Sequence, residues 1–302
     1  MSAHVKKLLL IGCNGMLAKA IASVAPAAYV ARGVDLPEFD MTDKSQVRSL
    51  FDRLRPEIII NCAGYTDVDG CETELELVNR VNGSAVGYLS ECAKRVDATL
   101  VHISTDYLFD GNKSSPYNEE DRANPQSAYG KSKLLGEQAI LTSGLKKYFI
   151  VRTSWLYGPD GKNFVETIVR LAGEREVLQI VADQVGSPTY TGDLAVAIFN
   201  LLGLEASPQH QDSGPYGLYH FSDEGHCSWH EFACAIVAES RSHNLPVVTR
   251  EILPLRTEEY PLPAKRPANS VFDKSKYKAA TGAGIPEWLD SLKKYFSVRE
   301  KT

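Results

Sequence analysis

Tyr129 and Lys133 stand four residues apart in Tyr-Gly-Lys-Ser-Lys, a spacing that puts both side chains on one face of a helix. A ketone reduced by hydride becomes an alkoxide, and an alkoxide needs a proton. A free phenol ionises near pH ~10, and an ammonium beside it favours the phenolate and draws that value toward neutrality. The two residues are therefore a candidate acid–base couple, with Tyr129 as the proton donor. Among the fourteen tyrosines of the chain, roughly one such spacing arises by chance, so its neighbourhood must decide. The apolar run Leu100-Val101-His102-Ile103 ends in Ser104-Thr105-Asp106. That ending places hydroxyls at the carboxyl edge of a sheet, where Thr105 can hydrogen-bond the same carbonyl oxygen. His102 lies inside the run and reads as a strand residue, not a catalyst.

A second group of residues can hold a dinucleotide. Gly12-Cys13-Asn14-Gly15-Met16-Leu17-Ala18 follows an apolar run and opens a helical segment. Small residues in this G-x-x-G-x-x-A pattern allow a tight turn and a close approach of backbone to a pyrophosphate. The helix start adds N–H groups and the positive end of its dipole. Gly12 and Gly15 are thus expected to hold cofactor. Asp35 lies 20 residues past Gly15, where a carboxylate accepts bonds from a ribose and repels a 2′-phosphate. Leu36 follows it in place of a phosphate-holding arginine, although Arg32 is close. The pattern favours NADH and leaves NADPH open. Lys133 would also bond a ribose hydroxyl.

These residues need a frame. Short apolar runs at 8–11, 58–61, 100–104 and 149–152 alternate with helical segments such as 44–54 and 75–95. Runs apolar on both faces suit buried parallel strands, and the alternation predicts an α/β fold with a doubly wound parallel sheet. The second half is rich in proline and less regular. Its runs at 178–181 and 218–221 are expected to return to the main sheet. Residues 1–152 are expected to form the cofactor-binding domain and residues 153–302 mainly a smaller substrate-binding lobe.

Composition sets outer limits. Of 302 residues, 43% are hydrophobic and 24% charged, and the formal net charge is −5, which argues against a nucleic-acid or anionic-membrane surface. The four apolar residues after Met1–Lys7 are too few for a signal core or a membrane span. Six cysteines without a C-x-x-C pair predict reduced thiols and a cytoplasmic protein. His226, Cys227 and His230 lack a second ligand pair, so no zinc site is expected.

Further segments carry a resemblance along nearly the whole chain. They are Asn61-Cys62-Ala63-Gly64-Tyr65-Thr66-Asp67-Val68-Asp69, Ser104-Thr105-Asp106-Tyr107-Leu108-Phe109-Asp110-Gly111, Arg152-Thr153-Ser154-Trp155-Leu156-Tyr157-Gly158, Asp183-Gln184-Val185-Gly186-Ser187-Pro188-Thr189, Gly217-Leu218-Tyr219-His220 and Arg266-Pro267-Ala268-Asn269-Ser270. With the glycine loop and the Tyr129 segment, they resemble the extended short-chain dehydrogenase/reductase family and, within it, the dTDP-4-dehydrorhamnose reductases. The resemblance implies a Rossmann-type fold and reduction of the 4-keto group of dTDP-4-dehydro-L-rhamnose to dTDP-L-rhamnose with NADH or NADPH. It implies catalytic roles for Thr105, Tyr129 and Lys133. It implies cofactor contacts from Gly15, Met16, Leu17, Asp35, Asp40, Met41, Gly64, Tyr65 and Thr66, and substrate contacts from Asp106 and Trp155. Some members bridge two subunits with a magnesium ion held by glutamates. The matching positions here are Ala20 and Gly192, so no bound metal and a monomer or weak homodimer are expected. Two other readings share the fold: a reductase or epimerase for another 4-keto sugar nucleotide, and a non-catalytic regulatory subunit like that of methionine adenosyltransferase. Thr105 and Trp155 beside an intact Tyr129/Lys133 pair favour the enzyme.

Overall fold

The computed structural model describes residues 4–206 and 214–299; Met1, Ser2 and Ala3, Pro208, and the last three residues of the expected second lobe lie outside them. Six parallel strands form the main sheet, in the spatial order Gly217–His220, Tyr148–Thr153, Thr99–Thr105, Ile58–Asn61, Lys6–Ile11, Tyr29–Val34. The central strands are buried on both faces, and side-chain alternation sorts their residues into two cores. Leu8, Leu10, Ile58, Ile60, Val101, Phe149 and Val151 face one layer. Leu9, Ile11, Ile59, Leu100 and Ile150 face the other. Helices Met16–Val24 and Thr191–Gly203 cover the first face, and Lys44–Leu54, Ala85–Val96 and Ala128–Thr142 the second. This is the doubly wound α/β arrangement, with its switch point between the first strand and Ile58–Asn61.

A third core, built on Tyr157, Ile168, Phe232, Ile236, Leu292, Tyr295 and Phe296, defines a smaller lobe. One detail differs from the sequence expectation. The run at 178–181 does form a strand, Val177–Val181, but it pairs in parallel with Glu251–Leu255 away from the main sheet. Only Leu178 of that strand is buried, so it lacks the two-faced burial that a central parallel strand needs. The run at 218–221 joins the main sheet beside Tyr148–Thr153. The chain therefore crosses between layers after residue 152, since Thr191–Gly203 and Tyr277 also pack under the sheet. No helix among the described residues is long and apolar enough to cross a membrane.

Candidate active site

The carboxyl ends of the first four strands open onto one cleft of about 850 Å³. Gly12, Gly15, Met16, Leu17, Asp35, Asp40, Met41, Gly64, Tyr65, Thr66, Thr105, Asp106, Tyr129, Lys133 and Trp155 all line it. Residues separated by more than a hundred positions thus meet at the sheet's switch point, where ligands bind in open α/β sheets.

At one end the backbone makes the site. Gly12 has φ +78°, and a Cβ there would fall 2.7 Å from the Ala63 nitrogen. Only glycine fits both demands. The Gly15 N–H donates to the Gly12 carbonyl at 3.1 Å, closing the turn. Helix Met16–Val24 then begins with no side-chain cap and no acid in its first turn. Its first N–H groups and the positive dipole end are left for an anion, which fits a dinucleotide pyrophosphate. Asp35 sits at the rim. Its carboxylate accepts the Asn14 N–H at 2.9 Å and the Leu36 N–H at 2.8 Å, so it pins the glycine loop as well as facing the cleft. A second hollow of about 500 Å³ adjoins this rim, with Arg32 and Arg53 in its wall.

The loop carrying Gly64, Tyr65 and Thr66 is held by Asn82, a residue with no local sequence signal. Asn82 is buried and lies in a π-helical turn, Arg80–Ser84, that interrupts the helical run expected over 75–95. Its amide accepts the Tyr65 N–H at 2.8 Å and donates to the Tyr65 carbonyl and the Ser132 hydroxyl, each at 3.0 Å. Such turns recur at functional sites because they re-aim side chains that a regular helix would misplace. Asn82 thereby ties the cofactor loop to the helix that bears Tyr129 and Lys133.

That helix, Ala128–Thr142, is capped by Ser127, whose hydroxyl accepts the Gly130 N–H at 3.2 Å. Gly130 is needed because a Cβ there would meet the Tyr107 carbonyl at 2.2 Å. Close packing brings Tyr129 against Tyr107, edge to face at 5.5 Å, and beside the Thr105 hydroxyl. Lys133 is buried, and its ammonium donates to the Ile103 carbonyl at 2.6 Å. Burial pulls Lys133 down to about 8, against the opposing pull of Glu137 and Cys62. Burial pushes the Tyr129 phenol above its ordinary value, against the opposing hydrogen bond of Thr105.

Asp106 is also buried, and burial pushes its carboxyl up to about 6. Arg266 makes a bidentate pair with Asp69 at 2.6 and 2.7 Å. His102 is fully enclosed, held well below its ordinary value by burial, with its Nδ1 3.1 Å from the Asn61 amide. It does not line the cleft.

At the other end side chains make the site. Trp155 follows buried Arg152, which forms a bidentate pair with Glu137 at 2.9 and 2.7 Å. The Ser154 hydroxyl donates to the Ser187 carbonyl at 2.7 Å. Trp155 itself has φ +47°, a conformation that costs a non-glycine residue about 1–3 kcal/mol. The surroundings enforce it. Its indole stacks on Trp229 with centroids 3.5 Å apart, and a Cβ on Gly186 would lie 2.5 Å from the ring. Asn82 and Trp229 were not singled out in the sequence, and Gly186, Asp69 and Arg266 stood only within the segments that carry the resemblance, with no role attached. Among the described residues, no group of three or more His, Cys, Asp or Glu side chains gathers as a metal site.

Residues 6–300 match the family model described as RmlD substrate binding domain. The chain is 41% identical over 293 residues to a dTDP-4-dehydrorhamnose reductase of Aggregatibacter actinomycetemcomitans, covering 95% of this chain and 97% of that one. It is 40% identical to the spore coat polysaccharide biosynthesis protein SpsK of Bacillus subtilis, covering 97% and 98% of the two chains. The crystal structure of dTDP-4-dehydrorhamnose reductase from Bacillus anthracis in complex with NADP superposes with a TM-score of 0.89 at 38% identity, over 97% of this chain and 99% of that one.

Proposed function

We propose that this chain, which belongs to the dTDP-4-dehydrorhamnose reductase family, uses Tyr129 as the proton donor in its reaction. The chain is an NAD(P)H-dependent oxidoreductase that reduces the 4-keto group of dTDP-4-dehydro-L-rhamnose to dTDP-L-rhamnose. When bound, NAD(P)H supplies the hydride. The open helix start after Gly15 would hold its pyrophosphate, and Asp35 its adenosine ribose. Asp40, Met41, Gly64, Tyr65 and Thr66 would line the rest of its path, with Met16 and Leu17 at the loop.

Hydride arrival at the keto carbon leaves negative charge on the oxygen. Tyr129 hands that oxygen its phenolic proton, and the Thr105 hydroxyl fixes the oxygen's position. The buried Lys133 ammonium stabilises the phenolate left behind. Asp106 and Trp155 hold the sugar, Trp155 through its apolar face and single N–H donor. Residues 153–302 supply most of the sugar side and residues 1–152 most of the cofactor side. The observation that carries these roles is the meeting of Thr105, Tyr129 and Lys133 in the same cleft as the glycine loop.

We further read the chain as a monomer or weak homodimer, since Ala20 and Gly192 bring no carboxylate to the positions implied for a magnesium bridge. Its six unpaired cysteines support a cytoplasmic location, where thiols stay reduced. The reaction is tested by adding dTDP-4-dehydro-L-rhamnose to the protein with NADPH or NADH and following cofactor absorbance, with the product identified by mass spectrometry. Stoichiometric oxidation with formation of dTDP-L-rhamnose is expected. A folded protein that binds cofactor but oxidises none of it would overturn the reading.

A further inference from the structure

Thr105 has one hydroxyl hydrogen, and the structure gives it a destination. The hydroxyl donates to Asp106 Oδ1 at 3.1 Å and accepts the Tyr107 N–H at 3.2 Å. Its remaining neighbour is the Tyr129 phenol. A hydroxyl has a single hydrogen to donate, and here Thr105 gives it to Asp106. In this arrangement Thr105 points no hydrogen into the cleft. The reduction described above asks it to point one at the sugar's keto oxygen, so something must release it.

Asp106 is the group able to do so. It is 2% exposed, and its Oδ2 is buried without a hydrogen bond of ordinary length; the nearby Ser270 hydroxyl only partly offsets the effect of burial. The nearby cations are committed elsewhere: Arg266 to both oxygens of Asp69, and Lys133 to the Ile103 carbonyl. A carboxylate shut away from water and from cations is costly, and its neutral form is favoured.

We propose that Asp106 works as a neutral carboxylic acid whose hydrogen bond to Thr105 Oγ1 turns the Thr105 hydrogen toward the keto oxygen. The hydrogen count then closes. Thr105 accepts from Asp106 and from the Tyr107 N–H and donates to the keto oxygen. Tyr129 directs its proton at the same oxygen. Ionised Asp106 takes the Thr105 hydrogen back. Asp106 keeps its own proton throughout, since the proton transferred to the sugar is that of Tyr129. In this role it is a positioning residue acting through Thr105.

The sign of the pH effect follows. Burial raises Asp106 to about 6, so the productive neutral form is held at low pH and lost as pH rises through that value. Exclusion of water by bound sugar and dinucleotide moves the loss still higher. The other groups facing Asp106 do not mimic it. Tyr107 and Tyr129 are pushed up by burial, so both stay neutral. Arg266 and Asp69 offset each other, and Lys133 ionises separately, near 8.

The inference rests on the reductase reading, and the experiment separates the two. The pH profile of kcat/KM with dTDP-4-dehydro-L-rhamnose and NADPH is measured for the wild type and for Asp106→Asn, whose amide N–H imitates the neutral acid at every pH. The wild type should lose about tenfold per pH unit above the Asp106 ionisation. The variant should lack that limb, so that the ratio of wild-type to variant activity falls steadily as pH rises. A folded variant that keeps the wild-type limb, or that binds NADPH yet is inactive at every pH, overturns the inference. No wild-type turnover at all overturns the reductase reading instead. Should Asp106→Asn fail to fold, infrared spectroscopy of the ¹³C-aspartate-labelled wild type bound to dTDP-L-rhamnose decides. A protonated aspartic C=O band persisting above pH about 6 supports the inference, and its absence down to the ordinary carboxylate range of about 4 contradicts it.

Discussion

The two ends of the cleft are built in opposite ways. At the glycine end the backbone forms the surface. Gly12 supplies a positive φ that its residue type tolerates, and the helix start presents N–H groups without help from side chains. At the Trp155 end a bulky residue is forced into a positive φ and kept there by Trp229 on one side and the bare backbone of Gly186 on the other. The first end is proposed to take a phosphate, which every dinucleotide carries, and the second to take one sugar. Backbone groups suffice for a generic ligand, while shape selection calls for a large side chain held in place by residues distant in the chain.

This contrast predicts that the ends fail separately. Trp155→Ala should lower kcat/KM about tenfold to a hundredfold by misplacing the keto carbon, with NADPH affinity close to wild type. Trp229→Ala, which removes the support behind the indole together with packing on Phe164, should do the same to a lesser degree. Melting temperature, NADPH affinity and kcat/KM measured on both variants decide the matter. A large fall in melting temperature with parallel loss of NADPH binding would make Trp155 a packing residue and break the contrast.

A smaller effect is expected at the rim of the glycine end. Asp35 holds the Asn14 N–H and faces the ribose position, so Asp35→Ala should weaken NADH binding. The same change removes a charge that repels a 2′-phosphate, worth roughly 1 kcal/mol in water at contact. The NADPH-to-NADH affinity ratio should therefore rise several-fold, read by fluorescence titration. An unchanged ratio would show that Arg32 and Arg53 in the adjoining hollow set the preference, against the leaning toward NADH that Asp35 and Leu36 suggested.

The same division explains what could be read from the sequence. The glycine loop, Asp35 and the Tyr129/Lys133 pair are local patterns, and each sits where its spacing implied. The apolar runs gave strands, but a run does not carry the identity of its partner. Val177–Val181 was thus assigned to the wrong sheet. The contacts that support the site were illegible for the same reason. Asn82 reaches Tyr65, Gly186 makes room for Trp155, and Asp69 pairs with Arg266 across 197 residues. None of these has a period or a spacing. Four-residue spacing shows that Lys133 shares the helix face of Tyr129, not that its ammonium is turned to the Ile103 carbonyl.

The central claim is that the proton given to the sugar comes from Tyr129 and from no other group in the cleft. Single-turnover oxidation of enzyme-bound NADPH by dTDP-4-dehydro-L-rhamnose in Tyr129→Phe tests it most directly, because that change removes one oxygen and leaves the ring against Tyr107. The rate should fall by roughly two to four orders of magnitude, the range for loss of a general acid, while NADPH affinity and melting temperature stay near wild type. A rate within about threefold of wild type in the folded, cofactor-bound variant would contradict the claim and give the proton to another donor.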